Sequence, residues 1–244
     1  MLFNFFSDPV NIILVIMAVI VSIVLHEIAH AYIALKNGDD TAKRMGRLSF
    51  NPLVHFEPTG FLMMILLGFG FAKPVPINVS RFKRKRFGIF TVAIAGVSVN
   101  LILAFISMPF AMLFDNLASQ WAGNIVFANF FWFMTLINVS LFFFNLIPIF
   151  PLDGFRVIES FTKDSNPFVQ FMRRRGIFIL LGLFLWSMVL GIFLNTGNFN
   201  TNAITVTSPM GTPVIYLDFL SFYIIMLRDS VIWVFQNFWG LIIR

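Results

Sequence analysis

Apolar residues run along this chain in five long blocks separated by polar stretches. The first block, Val10 to Leu35, is about 26 residues long. As a helix it spans ~39 Å at ~1.5 Å per residue, enough to cross a bilayer. The second runs roughly from Gly88 to Phe114, the third from Ile125 to Phe150 and the fourth from Ile177 to Leu194. A fifth begins at Val214 and reaches Leu227, with Asp229 to Arg244 continuing it obliquely or lying amphipathically on the surface. Between the first two blocks, residues 36–87 form a long mixed connection. Its stretch Phe61 to Ala72 is apolar but about twelve residues long, too short for a helical span. Gly68, Gly70, Pro74 and Pro76 make that stretch read as short strands or a re-entrant segment, tolerable at membrane depth only if covered by protein. Asn195 to Pro213 is polar, uncharged and rich in Thr and Asn, and reads as an external loop.

The pattern predicts an all-α membrane protein, a polytopic bundle of about five transmembrane helices with one short membrane-associated strand or re-entrant segment. A single integral membrane domain over 1–244 is expected, with a catalytic core at about 10–157 and further helices at 177–244. There is no internal repeat and no low-complexity linker.

Composition agrees. The chain is 59% hydrophobic and 11% charged, with mean hydropathy +0.88, whereas a soluble domain is about a quarter charged. The absence of cysteine excludes disulfides and thiolate metal ligands, so a zinc ion would need His and carboxylate. The first residues carry Asp8 and no basic cluster, and the first apolar block holds polar chemistry, so it reads as a retained span rather than a cleaved signal. Of 17 basic residues, ten fall in 36–87 and five in 155–176. By the positive-inside rule these two connections are cytoplasmic, the N-terminus is outside and the C-terminus is inside, in a multi-pass protein of the cell membrane. The run Arg81 to Arg86 reads as a lipid-headgroup anchor and orientation signal, not as a nucleic-acid patch.

The first block carries His26-Glu27-Ile28-Ala29-His30 in its second half. Ionisable side chains inside a membrane helix are costly and mark function by default. One helical turn separates the two histidines, so both imidazoles can grip one metal ion, with Glu27 placed to take a proton from a metal-activated water. His26 lies ten residues before Lys36, about 15 Å from that end at ~1.5 Å per residue. A catalytic zinc takes three protein ligands and leaves one position open. The third block breaks at Asn145-Leu146-Ile147-Pro148-Ile149-Phe150-Pro151-Leu152-Asp153-Gly154, on the same side as His26 and His30. An Asp after a proline turn also reads as a helix or turn cap; the unfilled ligand position favours Asp153 as the third ligand. His55, the one other histidine, fits either a surface loop or a supporting role behind the site. Glu159 reads as a solvated charge, and Asn100, within the second block, needs a polar partner.

With these residues in view, the chain resembles the site-2 protease family of intramembrane zinc metalloproteases. The likeness rests on His26 to His30 and Asn145 to Gly154, supported by Gly46-Arg47-Leu48-Ser49-Phe50-Asn51-Pro52-Leu53 with His55, by Ala72 to Asn78, and by Ala95-Gly96 with Asn100. It covers about residues 20–160 and is similar to the short bacterial members without a PDZ-like or CBS-like domain. Val97 and Phe150 stand where the family often has Pro. The resemblance implies a three-helix catalytic core holding one zinc per chain on His26, His30 and Asp153, Glu27 as base, and Asn145 near the substrate or the oxyanion.

The expected activity is a zinc endopeptidase that cuts membrane-spanning proteins near the cytoplasmic face. Its partners are a transmembrane substrate and the lipid bilayer. A metal transporter would need relayed polar sites through the bilayer, and the outer half of the core offers almost none. A homologue that binds membrane proteins without cutting would fit an altered Glu27, which is intact.

Overall fold

A computed structural model of the protein describes residues 8–57, 73–196, 205–215 and 218–243. Helix α1 spans Pro9–Lys36, followed by the single turn α2 (Thr41–Arg44). Then come α3 (Lys85–Asn116), α4 (Ala122–Asn145), α5 (Asp153–Phe161) and α6 (Pro167–Thr196). A two-stranded antiparallel pair, β1 (Thr205–Thr207) with β2 (Pro213–Ile215), precedes α7 (Phe219–Gly240). Among the described residues five helices are long and apolar enough to cross a membrane. The protein is an all-α, multi-pass membrane protein.

Local chemistry explains the ends of α1. Asp8 accepts a hydrogen bond from Val10 N–H at 2.9 Å, and Pro9 occupies the first helical position, where no N–H is needed. At the other end Asn37 N–H bonds back to Ile33 O, and Gly38 takes φ 107°, a conformation that L side chains rarely adopt.

The chain forms two compact units, Met1–Asn138 and Val139–Arg244. In the first, α1 packs along α3. One strip of α1 at every fourth residue is buried: Leu14, Ala18, Ser22, His26, His30 and Ala34. Small residues on both helices (Ala31, Ala34, Ala93, Gly96) let the backbones approach closely, as helices do in lipid, where apolar burial alone offers no drive to associate. Leu14 and Ala18 also meet Phe133 and Met134 of α4. In the second unit Ile147, Leu152, Leu180 and Leu220 form the core. Large apolar side chains such as Phe178, Leu185 and Val189 are exposed, as a lipid solvent demands.

Three sequence expectations change. The fourth helix starts at Pro167, ten residues before the apolar block, so Arg173, Arg174 and Arg175 ride on it. Arg173 pairs there with both Glu159 and Asp164. Val214 lies in β2 rather than in a span, and the fifth helix instead continues unbroken from Phe219 to Gly240 through Arg228 and Asp229. Asp229 is buried but satisfied by the Arg228 guanidinium and the Ser208 hydroxyl, so charge does not end the helix. The expected external loop carries the β1–β2 pair that brings Ser208 to Asp229. The strand or re-entrant expectation at 61–72 lies outside the described residues.

Candidate active site

His26 and His30 project from the buried strip of α1 with their rings nearly perpendicular, centroids 4.5 Å apart. Their Nε2 atoms face each other at 2.9 Å. His30 Nδ1 lies 2.7 Å from the Val92 carbonyl, an atom that only accepts, so this nitrogen carries the proton. His26 Nδ1 lies 2.6 Å from Asn100 Oδ1 and donates likewise. With both Nδ1 protonated, two Nε2 lone pairs point at one another in a buried place. Two imidazole nitrogens so placed can share one metal ion.

Gly96 of α3 makes the approach possible. A Cβ there would stand 2.5 Å from His30 Nε2 and 2.7 Å from His26 Nε2. The glycine thus keeps open the space that the two Nε2 atoms face. Behind His26, Asn100 donates to Asn138 Oδ1 at 2.8 Å, and Asn138 Nδ2 donates to Ser22 Oγ at 2.8 Å. This meets the requirement of Asn100 for a polar partner. Sequence reasoning missed Asn138 and Ser22; the available signal was an amide in an apolar block and a hydroxyl four residues before His26.

Glu27 sits beside the pair. Its Oε2 accepts the Val75 N–H at 3.2 Å. The stretch 73–78 is held on several sides: Lys73 N–H donates to His55 O at 2.8 Å and Asn78 N–H to Asp39 Oδ2 at 2.6 Å. Arg47, almost fully buried, donates through Nη2 to the Lys73 carbonyl. Burial pushes the Arg47 guanidinium below its ordinary value, while the Glu27 carboxylate pulls it back up. The N–H groups of Lys73, Val75 and Asn78 are thus all engaged within the chain.

His55 is fully buried rather than a surface loop residue, and its Nε2 lies 2.8 Å from the Ser49 carbonyl. The ring therefore braces the turn that follows Arg47. Asp39 is also buried, with Thr41 N–H and Oγ1 on one carboxylate oxygen and Asn78 N–H on the other. Burial opposes its ionisation, but these hydrogen bonds and the nearby Arg81 outweigh it and hold the carboxyl below its usual range.

Asp153 and Asn145 belong to the second unit. Helix α4 ends at Asn145, the chain turns through 146–152 with a cis Phe150–Pro151 peptide, and Asp153 opens α5. Asp153 is buried. An acidic group in a first helical turn sits favourably against the exposed N–H groups there. Gly154 is required because a Cβ would fall 2.2 Å from the Leu146 carbonyl. Asn145 donates one of its amide hydrogens to Leu141 O at 3.0 Å.

Comparison with known proteins follows the same lines. The family described as Peptidase family M50 matches residues 109–189, a stretch that includes Asn145 to Gly154. "Putative zinc metalloprotease YwhC" of Bacillus subtilis is 40% identical over 188 residues, covering 75% of this chain and 86% of the relative. "Putative zinc metalloprotease Rip2" of Mycolicibacterium smegmatis is 31% identical, covering 65% of this chain and 60% of that protein. "Zinc metalloprotease MJ0392" of Methanocaldococcus jannaschii is 25% identical, covering 62% of this chain and 34% of that protein. No solved structure matches the chain. The chain belongs to peptidase family M50.

Proposed function

We propose that this member of peptidase family M50 is an intramembrane zinc endopeptidase that cleaves membrane-spanning proteins near the cytoplasmic face. One zinc ion is held by His26, His30 and Asp153, and Glu27 is the base. The observation that carries the reading is the pair of Nε2 atoms facing each other at 2.9 Å with both Nδ1 atoms engaged. Zinc bonds of ~2.0–2.1 Å in tetrahedral geometry want nitrogens about 3.3 Å apart, so the rings need shift by only a few tenths of an ångström. Asp153 offers a carboxylate oxygen as third ligand, and in a cysteine-free chain the His₂-carboxylate set is the one that suits catalytic zinc.

When bound, zinc polarises the scissile carbonyl and acidifies a water. Glu27 takes the proton from the attacking water and returns it to the leaving amine nitrogen. Val75 N–H holds Oε2 of that carboxylate, which leaves Oε1 to exchange the proton. Asn145 keeps an amide hydrogen and Oδ1 for the substrate peptide, since its bond to Leu141 uses a single N–H. His55 serves the site at one remove by bracing the loop that carries Arg47. A helical amide is shielded by its own turn, so the substrate helix must unwind before it is cut. The excess of Lys and Arg in 36–87 and 155–176 supports an external N-terminus, a cytoplasmic C-terminus and a site on the cytoplasmic side.

The test is zinc content and cleavage of a transmembrane substrate by the full chain in detergent or lipid discs. Wild type should hold about one zinc per chain, the stoichiometry of a three-ligand catalytic site. His26→Ala, His30→Ala and Asp153→Ala should each lose metal, whereas Glu27→Gln should keep it and stop cutting. Full occupancy in Asp153→Ala would remove that residue from the ligand set, and an active Glu27→Gln would remove the base.

A further inference from the structure

A histidine that binds a metal through Nε2 must carry its proton on Nδ1, so whatever touches Nδ1 decides whether the ligand is competent. For His30 the partner is a backbone carbonyl, which only accepts. For His26 it is Asn100, and an asparagine amide can present either its oxygen or its nitrogen with little change of shape. Asn100 by itself settles nothing.

The answer comes from further along the hydrogen bonds. Asn138 Nδ2 lies 2.8 Å from the Met134 carbonyl, so that end of the Asn138 amide has to be nitrogen. Ser22 points the same way: its hydroxyl donates to Ala18 O at 2.6 Å and offers a lone pair to the same nitrogen. Asn138 Oδ1 is then turned to Asn100, whose nitrogen must face it at 2.8 Å. That leaves Asn100 Oδ1 towards His26 at 2.6 Å. The proton therefore sits on Nδ1 and the lone pair on Nε2. Ser22, Asn100 and Asn138 are 0% exposed, so bulk water does not stand in for a lost partner. In such surroundings an amide flip that broke these bonds would cost the full desolvation of the groups involved.

We infer that Asn138 is a positioning residue that sets the tautomer of His26 through Asn100, so that metal affinity depends on a side chain that touches no ligand. The inference rests on the reading of His26 as a zinc ligand. Asn138→Leu keeps the bulk but removes the acceptor for the Asn100 N–H. Asn100 is then free to turn its nitrogen to His26, which moves the ring proton to Nε2 and blocks the metal. Asn100→Asp presents oxygen at both ends, so with Leu at position 138 it makes the relay unnecessary.

Zinc affinity of the purified full chain, measured by competition with a chromophoric chelator, tests this. Asn138→Leu should bind zinc about 10–100-fold more weakly, the usual loss when a supporting partner of a metal ligand is removed. Asn100→Asp added to Asn138→Leu should restore affinity to within a few-fold of wild type. A purely structural role for Asn138 predicts no such rescue, because the added carboxylate only brings a further buried charge. Wild-type affinity in Asn138→Leu or failure of the double variant each overturns the inference. His26→Ala, measured alongside, separates the two levels. If it keeps zinc, the ligand reading and the inference fall together; if it loses zinc while Asn138→Leu does not, only the inference falls.

Discussion

Val75 donates its backbone N–H to Glu27 Oε2 at 3.2 Å, across 48 positions of sequence. Val75 lies between Pro74 and Pro76, neither of which has an N–H, so it holds the single backbone donor of this tripeptide. Arg47, bonded to the Lys73 carbonyl, ties the same stretch down from the other side. The proposed base is thereby oriented by the chain's own backbone.

Val75→Pro removes this donor while keeping an apolar side chain. A hydrogen bond to a charged group contributes about 1.5–3 kcal/mol, so turnover of a transmembrane substrate should fall by roughly ten- to a hundred-fold. Zinc content should stay that of wild type, and Val75→Ala should cut nearly normally. Full activity in Val75→Pro would show that the contact does not orient Glu27.

Gly96→Ala should empty the proposed metal site. The new methyl would stand 2.5 Å from His30 Nε2, inside any allowed contact, and α3 cannot retreat without opening its packing against α1. Zinc per chain should fall well below that of wild type. Gly182→Ala is the control: it too lies in a spanning helix but has no heavy atom within 4 Å of the added carbon, and should leave zinc unchanged.

Asp39 couples stability to pH. Its carboxyl is held below the ordinary value of 3.8. A depressed folded-state pKa adds stability that is fully present above the unfolded value and disappears as pH falls through the lower folded one. Asp39→Asn should therefore lower the thermal midpoint at pH 7, and the gap to wild type should close below about pH 4. A gap that persists undiminished in acid would assign the effect to lost packing.

Orientation can be read from single cysteines introduced into this cysteine-free chain and an impermeant thiol reagent on intact cells. Labelling is expected at Gln120, between α3 and α4, and not at Ser80 or Ser165. The reverse pattern would place the proposed site on the other side of the membrane.

Much of this protein was legible without a structure, for physical reasons that act locally. A helix that crosses lipid must be long and apolar, with its backbone bonds satisfied internally, so hydropathy located the first three spans closely and the last two in part. The helical repeat alone put His26 and His30 on one face, and Pro148, Pro151 and Gly154 marked where α4 had to stop. Tertiary structure decided what depends on partners distant in sequence. The sequence left open whether the fifth span continued past Arg228 and Asp229; α7 passes through them, with Ser208 and the neighbouring guanidinium satisfying the carboxylate. His55 fitted either a surface loop or a supporting role, and the fold buries it against the Ser49 carbonyl. The tautomer of His26 is settled by Asn100 and Asn138, 74 and 112 positions along the chain, the second pointing to the Met134 carbonyl. No local pattern can carry that information, because an amide has two nearly identical ends and only the folded neighbourhood distinguishes them.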